Sequence, residues 1–405
     1  MSRGPFLPYG RQWIDEADIA AVKQVLRGDW LTQGPNVGWF ERAFAEKVGA
    51  RHAVACTSAT AALHVSMLAL DLGPGDAVVV PSITFLATAN AVRLAGAQVA
   101  FADVDPDTGL MRPQDAAGAL DRARARGWRV RALAPVHLAG QTADMAGLSA
   151  LATGEGLAIV EDAAHAVGTR LTGHDGRPVA VGACDRSDLA CFSFHPVKTM
   201  ATGEGGMVTT ADDTLARRVR AAICHGMVRE PSAFANPAAA LAADGTPNPW
   251  YYEMPDLGLN YRMTDIQAAL GLSQLGKLDA FMRARQTLVD AYDAALTPLA
   301  PVLRPAGRVA GVQAAWHLYA VLVDFAALGL DRAGFMGALR RDGIGSQVHY
   351  IPVHTQPYYR KLYGDLDLPG AAAWYARCLS LPLYPAMSMA DHERVVTALF
   401  RIVRG

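Results

Sequence analysis

The 405-residue sequence predicts an α/β fold: a mainly parallel sheet in a large domain over residues 1–285, then a smaller α/β domain over residues 286–405. Three observations carry this expectation. Short apolar runs alternate with helix-period segments from Ala53 onward, the pattern of strands buried on both faces beneath crossover helices. A long helical pattern from about Thr264 to Ala295 and a Pro298–Gly311 linker separate this alternation from a second, shorter one. Hydrophobic residues make up 51% of the chain, enough for a large core.

In order, residues 1–14 are punctuated by proline and glycine and should lie extended over a neighbouring element. Asp15 suits the N-cap of a helix to about Leu26, with Ile19, Val22, Val25 and Leu26 on one face. A polar turn over Leu31–Pro35 precedes a helix over Trp39–Val48. Strands follow at Ala53–Cys56, Ala77–Pro81, Val99–Phe101, Val130–Val136 and Leu157–Val160. The helices between them cover Ala59–Leu70, Leu86–Leu94, Arg112–Arg126 and Met145–Thr153. Leu189–Phe194 and Met207–Thr210 read as strands flanking a turn. Residues 227–258 exceed an ordinary connection, which points to a functional or interface loop. A strand over Leu318–Val323, a helix over Arg332–Arg341, a strand over Gln347–Tyr350 and a helix over Met389–Val403 complete the chain.

Charged residues amount to only 19% with a formal net charge of −1, and no basic stripe is present, which argues against nucleic acid or a membrane surface as partner. The cysteines Cys56, Cys184, Cys191, Cys224 and Cys378 form no Cys-x-x-Cys pair and read as reduced thiols. With no hydrophobic signal core at the N-terminus and no apolar run of membrane-spanning length, the expectation is a cytoplasmic protein. The Asp103–Asp107 run lacks the glycine and glutamate of a calcium loop and reads as a turn. His349 and His354 lack zinc-type partners, so no metal site is expected.

Lys198 is the residue with the most chemical promise. An apolar run, Phe192-Ser193-Phe194, leads into it, and Gly203-Glu204-Gly205-Gly206 lets the backbone fold closely behind it. The other lysines, Lys23, Lys47, Lys277 and Lys361, fall in helical, solvent-facing contexts. An amine among apolar groups has a lowered pKa and attacks carbonyls. Taken alone, the segment suits a surface loop lysine equally well. Cys56-Thr57-Ser58-Ala59-Thr60 joins a strand to a helix, where free N–H groups and hydroxyls form a phosphate site or an ordinary cap. Glu161-Asp162 ends an apolar strand, where a carboxylate can keep a ring nitrogen protonated or cap the next helix. Phe85 lies just past a strand, placed to stack on a planar group or to join the core. Arg262, two residues after Asn260, suits an anionic ligand.

Six motifs in this order, Ser-Ala-Thr-Ala-Ala-Leu, Thr-Phe-x-Ala-Thr, Glu-Asp-Ala-Ala-His, Phe-Ser-Phe-His-Pro-x-Lys, Gly-Glu-Gly-Gly and Asn-Tyr-Arg-Met-Thr-Asp, resemble the DegT/StrS family of sugar aminotransferases along almost the full chain. The resemblance implies fold type I architecture and pyridoxal 5'-phosphate (PLP) cycling through pyridoxamine phosphate. It implies that Lys198 forms the Schiff base with PLP and later shuttles a proton. Asp162 would pair with the pyridine nitrogen, His165 would lie near the phenolic oxygen, and Phe85 would stack on the ring. Ser58, Ala59, Thr60 and Ser193 would hold the phosphate, joined by Asn260 from the second subunit of a homodimer.

Within the family, Pro8–Gln12, Leu31–Pro35, Trp250–Met254 and Val348–His354 are similar to the transaminases of pseudaminic-acid biosynthesis. That similarity implies a UDP-4-keto-6-deoxy N-acetylamino sugar as acceptor and L-glutamate, leaving as 2-oxoglutarate, as donor. Tyr9, Thr32, Gln33, Gly34, His195, Arg262 and the turn His349, Tyr350, Ile351, Pro352 would contact the substrate. Alternatives are a 3- or 4-aminotransferase for a dTDP- or GDP-linked keto-deoxysugar, and a regulator without turnover. A dehydratase on the same scaffold would carry histidine in place of Lys198.

Overall fold

The computed structural model describes residues 5–405, with the backbone alone for Pro237. Strands β1 (His52–Cys56), β2 (Asp76–Pro81), β3 (Gln98–Ala102), β4 (Arg129–Leu133) and β5 (Ala158–Asp162) alternate with helices, as the apolar periodicity predicts. A separate antiparallel pair, β6 (Arg170–Thr172) and β7 (Pro178–Ala180), precedes β8 (Leu189–Ser193) and β9 (Gly206–Thr210). The central sheet has seven strands in the order β1-β9-β8-β5-β4-β2-β3. From β3 to β8 all neighbours are parallel, whereas β9 runs antiparallel to both β8 and β1. The mainly parallel sheet is therefore present. Every residue of β2, β8 and β9 is buried, as strands covered on both faces require.

A smaller antiparallel sheet, β10 (Leu303–Pro305), β11 (Tyr319–Val323) and β12 (Cys378–Leu381), lies in the C-terminal part. The long helix Asp265–Leu296 links the two regions. Its first half gives Leu275 and Leu278 to a core shared with β1, β8 and β9. Its second half gives Leu288, Val289, Tyr292 and Leu296 to a core built on β10, β11 and β12. The switch of face falls close to residue 285.

Several elements differ from expectation. The second helix begins at Pro35 rather than Trp39, because Asp265 caps it from across the chain, accepting the N–H groups of Gly34 at 2.7 Å and Asn36 at 2.8 Å. Gln347–Tyr350 is not a strand: Gln347 alone bridges to Ser380 on the open edge of β12, after which Val348 N–H donates to Gln347 Oε1 at 2.9 Å and His349 O accepts from the Trp374 indole at 3.0 Å. Helices Asp213–Ala222, Pro357–Tyr363 and Pro369–Arg377 add to those expected. Residues 227–258 contain two short helical turns and are braced by Glu253, which accepts from Ala235 N, Asn236 N and the Tyr251 hydroxyl.

The first helix, Glu16–Leu26, is capped by Asp15 as expected. Its apolar face is only partly used. Val25 is buried while Ile19 and Leu26 are exposed, and the buried Asp18 carboxylate meets Lys277 at 2.6 Å and Gln274 at 2.8 Å instead. Lys277 is thus a structural cation, not a solvent-facing one. The arm before this helix lies along the C-terminal part, where Leu7 N–H donates to Gly343 O at 2.8 Å. The expectation for residues 1–4 lies outside the described residues. Asp105 forms the predicted turn, its Oδ1 accepting from the N–H groups of Asp107 and Thr108.

Candidate active site

A cavity of about 610 Å³ opens where β5 and β8 end, the position at which parallel sheets gather ligands. Lys198 stands in its wall. After the buried Ser193 and Phe194 the chain turns: Lys198 N–H donates to His195 O at 2.8 Å, and Thr202 N–H to Phe194 O at 2.9 Å. The glycines behind the turn have specific tasks. A Cβ on Gly206 would sit 2.3 Å from Ser58 O, and one on Gly205 would sit 2.2 Å from Thr202 Oγ1. Gly206 therefore lets β9 press directly on the backbone that starts the Ala59–Ala69 helix.

The Lys198 side chain keeps a path to the cavity, yet its ammonium lies deep among protein atoms. Burial lowers its pKa from 10.5 to about 8, against the opposing pull of the Asp162 carboxylate. Facing it, Ser58 caps the Ala59–Ala69 helix through a 3.1 Å bond from Ala61 N–H. Among the described residues, the N–H groups of Ala59 and Thr60 find no protein acceptor. Two free donors at a helix start, beside the Ser58, Thr60 and Ser193 hydroxyls, are the groups that could hold an anion.

Strand alternation separates the two acids at the end of β5. Asp162 faces the cavity, where Oδ2 accepts from Thr88 Oγ1 at 2.6 Å and Oδ1 from Ala164 N–H at 3.1 Å. Because the Thr88 hydroxyl proton goes to Asp162, Thr84 must donate the 2.7 Å bond between the two threonines. Glu161 points the other way, into a buried cluster with His137 at 2.6 Å and the Ser187 hydroxyl. Its role is internal packing of charge.

Three buried histidines surround the lysine, His165, His317 and His349. Burial, reinforced by His165 and Lys198, holds His317 well below the usual imidazole range. Burial and then Lys198 do the same for His165, and bring His349 to about 3. All three are neutral near pH 7. His165 Nδ1 accepts from Ala139 N–H at 3.3 Å, so Nε2 carries the proton and donates to the Tyr350 hydroxyl at 3.1 Å. His317 packs its ring on His165 at 4.4 Å.

Of the residues singled out in the sequence, Tyr9, Ser58, Ala59, Thr60, Phe85, Asp162, His165, Ser193, His195, Lys198, His349, Tyr350 and Ile351 all line this cavity. Phe85 is 57% exposed at its mouth, which fits a ring held for a ligand rather than for the core. Pro352 is buried just beyond Ile351. Thr32, Gln33, Gly34, Asn260 and Arg262 do not line the cavity. Thr32 bridges to Thr264, Asn260 to Cys224 and Arg262 to Cys56, while Gly34 is held by Asp265. Arg262 Nη1 donates to Cys224 Sγ at 3.2 Å. Thr88, Glu204 and His317 were not anticipated. Thr88 ends the Thr-Phe-x-Ala-Thr motif and was within reach of sequence reasoning; His317, in an apolar strand approach, carried no local signal.

Comparison with known proteins places the chain in a family. The model of the DegT/DnrJ/EryC1/StrS aminotransferase family matches residues 12–400. The spore coat polysaccharide biosynthesis protein SpsC of Bacillus subtilis (strain 168) is 40% identical over 410 residues, covering 100% of this chain and 98% of that protein. Helicobacter pylori PseC, an aminotransferase of pseudaminic acid biosynthesis, superposes with a TM-score of 0.85 at 26% identity over 98% of this chain and 99% of its own. Streptococcus pneumoniae Spr1654 in its PLP form gives a TM-score of 0.85 at 27% identity over 98% of this chain and 99% of its own, and it is also known in a PMP form. With a family match running from the N-terminal arm to the final helix and the motif residues gathered around one lysine, the chain belongs to the DegT/DnrJ/EryC1/StrS aminotransferase family.

Proposed function

We propose that this sugar aminotransferase binds PLP through Lys198 and transfers the amino group of L-glutamate to C4 of a UDP-linked 4-keto-6-deoxy N-acetylamino sugar, acting as a homodimer. The observation that carries the reading is the buried Lys198 amine, with its pKa lowered to about 8, beside Asp162 and an unpaired helix start. These residues fit the cofactor. The Ala59 and Thr60 N–H groups with the Ser58, Thr60 and Ser193 hydroxyls suit its phosphate, Asp162 its ring nitrogen, and Phe85 its ring face. When bound, PLP supplies the electron sink that lets a C–H bond next to nitrogen break.

The chain's own groups do the rest. Lys198 is neutral for a large fraction of the time near pH 8, so its amine can take a proton from one carbon and return it to another. Neutral His165, fixed by Ala139, presents its Nε2 proton to Tyr350. Tyr9, His195 and the His349–Ile351 turn form the wall suited to a sugar nucleotide. In this reading residues 1–285 carry the cofactor and residues 286–405 form the smaller unit beside it.

Among the lining residues Lys198 is the only lysine or arginine, which is too little charge for a diphosphate and a dicarboxylic acid. Thr32, Gln33, Asn260 and Arg262, which stand off this wall, are the groups that a second copy would lend to it. The UDP-sugar assignment draws on the similarity at Tyr9 and the His349–Pro352 turn and on the PseC likeness. A second reading, amination of a different sugar for a surface polysaccharide, is favoured by the 40% identity with SpsC.

The test is a panel of UDP-, GDP- and dTDP-4-keto-6-deoxy sugars with glutamate, products read by mass spectrometry. A mass corresponding to amination on the UDP N-acetyl substrate supports the proposal. Amination of only the GDP or dTDP sugars defeats the UDP assignment and favours the second reading. Size measurement in solution checks the dimer, and a monomer with full turnover would refute it.

A further inference from the structure

Among the described residues, a buried charge near the cavity has no counterion. Arg285, in the Asp265–Leu296 helix, is 1% exposed. Among the described residues it has no acidic partner: Nη1 donates to the carbonyls of His317 at 3.0 Å and Leu383 at 2.9 Å, while Nε and Nη2 have no protein partner. Burial lowers its pKa to about 10, so it remains charged at neutral pH. An unpaired buried guanidinium is costly, and two carbonyls could be satisfied more cheaply by a neutral donor.

Both carbonyls belong to segments that shape the cavity. His317 lines it, and its N–H donates to Ala139 O at 3.0 Å. Ala139 N–H in turn holds His165 Nδ1, which fixes the proton given to Tyr350. On the other side, Leu383 N–H donates to Tyr9 O at 3.0 Å, and the Tyr9 ring packs on His349 at 5.4 Å. The two hydrogens of a planar Nη1 point in fixed directions, so a single atom sets the spacing of the two segments.

We infer that Arg285 is a positioning residue whose Nη1 clamps the His317 and Leu383 backbones together, thereby setting His165 on one wall and Tyr9 on the other for acceptor binding. The acceptor part of this statement rests on the proposed function; the clamp itself does not. The test compares Arg285→Met, which removes both donors, with Arg285→Lys, which keeps a charge without the planar pair. In the cofactor-loaded protein, the His317 and Leu383 amides should exchange hydrogen about tenfold faster in the methionine variant. Its KM for the keto-sugar should rise by about 10- to 100-fold, as expected for groups displaced by a fraction of an ångström. The pH midpoint of the visible cofactor absorbance should move as well, because His165 is loosened. Arg285→Lys should fall between wild type and Arg285→Met, and it carries the test if the methionine variant does not fold.

Wild-type exchange at both amides would overturn the inference. So would an unchanged KM and spectral midpoint, with activity falling only in proportion to folded protein. Faster exchange with no turnover of the UDP sugar even in the wild type would support the clamp and defeat the substrate assignment.

Discussion

Replacing Lys198 by methionine should stabilise the cofactor-free protein while abolishing its activity. The amine has a pKa of about 8 in the fold against an ordinary value of 10.5, with burial as the main cause. At 1.36 kcal/mol per pH unit, that gap amounts to about 3 kcal/mol. Below about pH 8 the folded and unfolded chains both hold the proton, and the fold bears the full cost of burying the ammonium. Between about pH 8 and pH 10.5 only the unfolded chain binds it, so stability climbs with pH. Above that range both forms are neutral and the cost has gone. Lys198→Met removes the charge and keeps most of the apolar stem, so its advantage should be about 3 kcal/mol near pH 7 and below about 1 kcal/mol near pH 10. Denaturant unfolding of both cofactor-free proteins at the two pH values measures this directly. A methionine variant that is less stable near pH 7, or an advantage independent of pH, would refute the argument. The expected result would identify the site lysine as a stability cost kept for function.

Capture of PLP by the cofactor-free protein should follow the same ionisation. Its rate, read by stopped-flow absorbance, should rise with pH through about 8 as the neutral amine forms, then level off, rather than rising through 10.5. Gly206→Ala places a methyl 2.3 Å from Ser58 O and should weaken PLP binding by about tenfold or more in a cofactor titration. Normal affinity would mean the helix start yields without loss. Thr88→Val removes the donor to buried Asp162, a bond to a charged group worth about 1.5–3 kcal/mol, and should weaken PLP binding by about 10- to 100-fold. Thr88→Ser should restore most of it, and equal defects in the two variants would assign the effect to packing.

Much of this molecule is legible in its sequence, for local reasons. Buried parallel strands need unbroken apolar runs, which made β2, β5 and β8 visible, and helix starts need hydrogen-bond acceptors, which made Asp15 and Ser58 visible as caps. An acid closing an apolar strand and a lysine followed by glycines singled out Asp162 and Lys198, because ionisable groups are costly in apolar surroundings and cluster at functional sites. Periodicity could not assign Gln347–Tyr350, since side chains take the backbone groups that the open edge of β12 could have paired: Val348 N–H goes to Gln347 Oε1 and His349 O to the Trp374 indole.

The amino-acid sequence by itself determined most of the order of elements and the mainly parallel sheet, and it singled out Lys198, because burial, capping and chain reversal act over a few neighbouring residues. Only the tertiary structure decided which groups distant in the chain would meet, around that lysine and elsewhere. His317 and His349 are neutral because the fold buries them beside it, Asp265 caps a helix 231 positions earlier in the chain, and Arg285 reaches carbonyls 32 and 98 positions away. Those contacts leave no local pattern, since they depend on where the backbone returns in space and not on which residues stand next to one another.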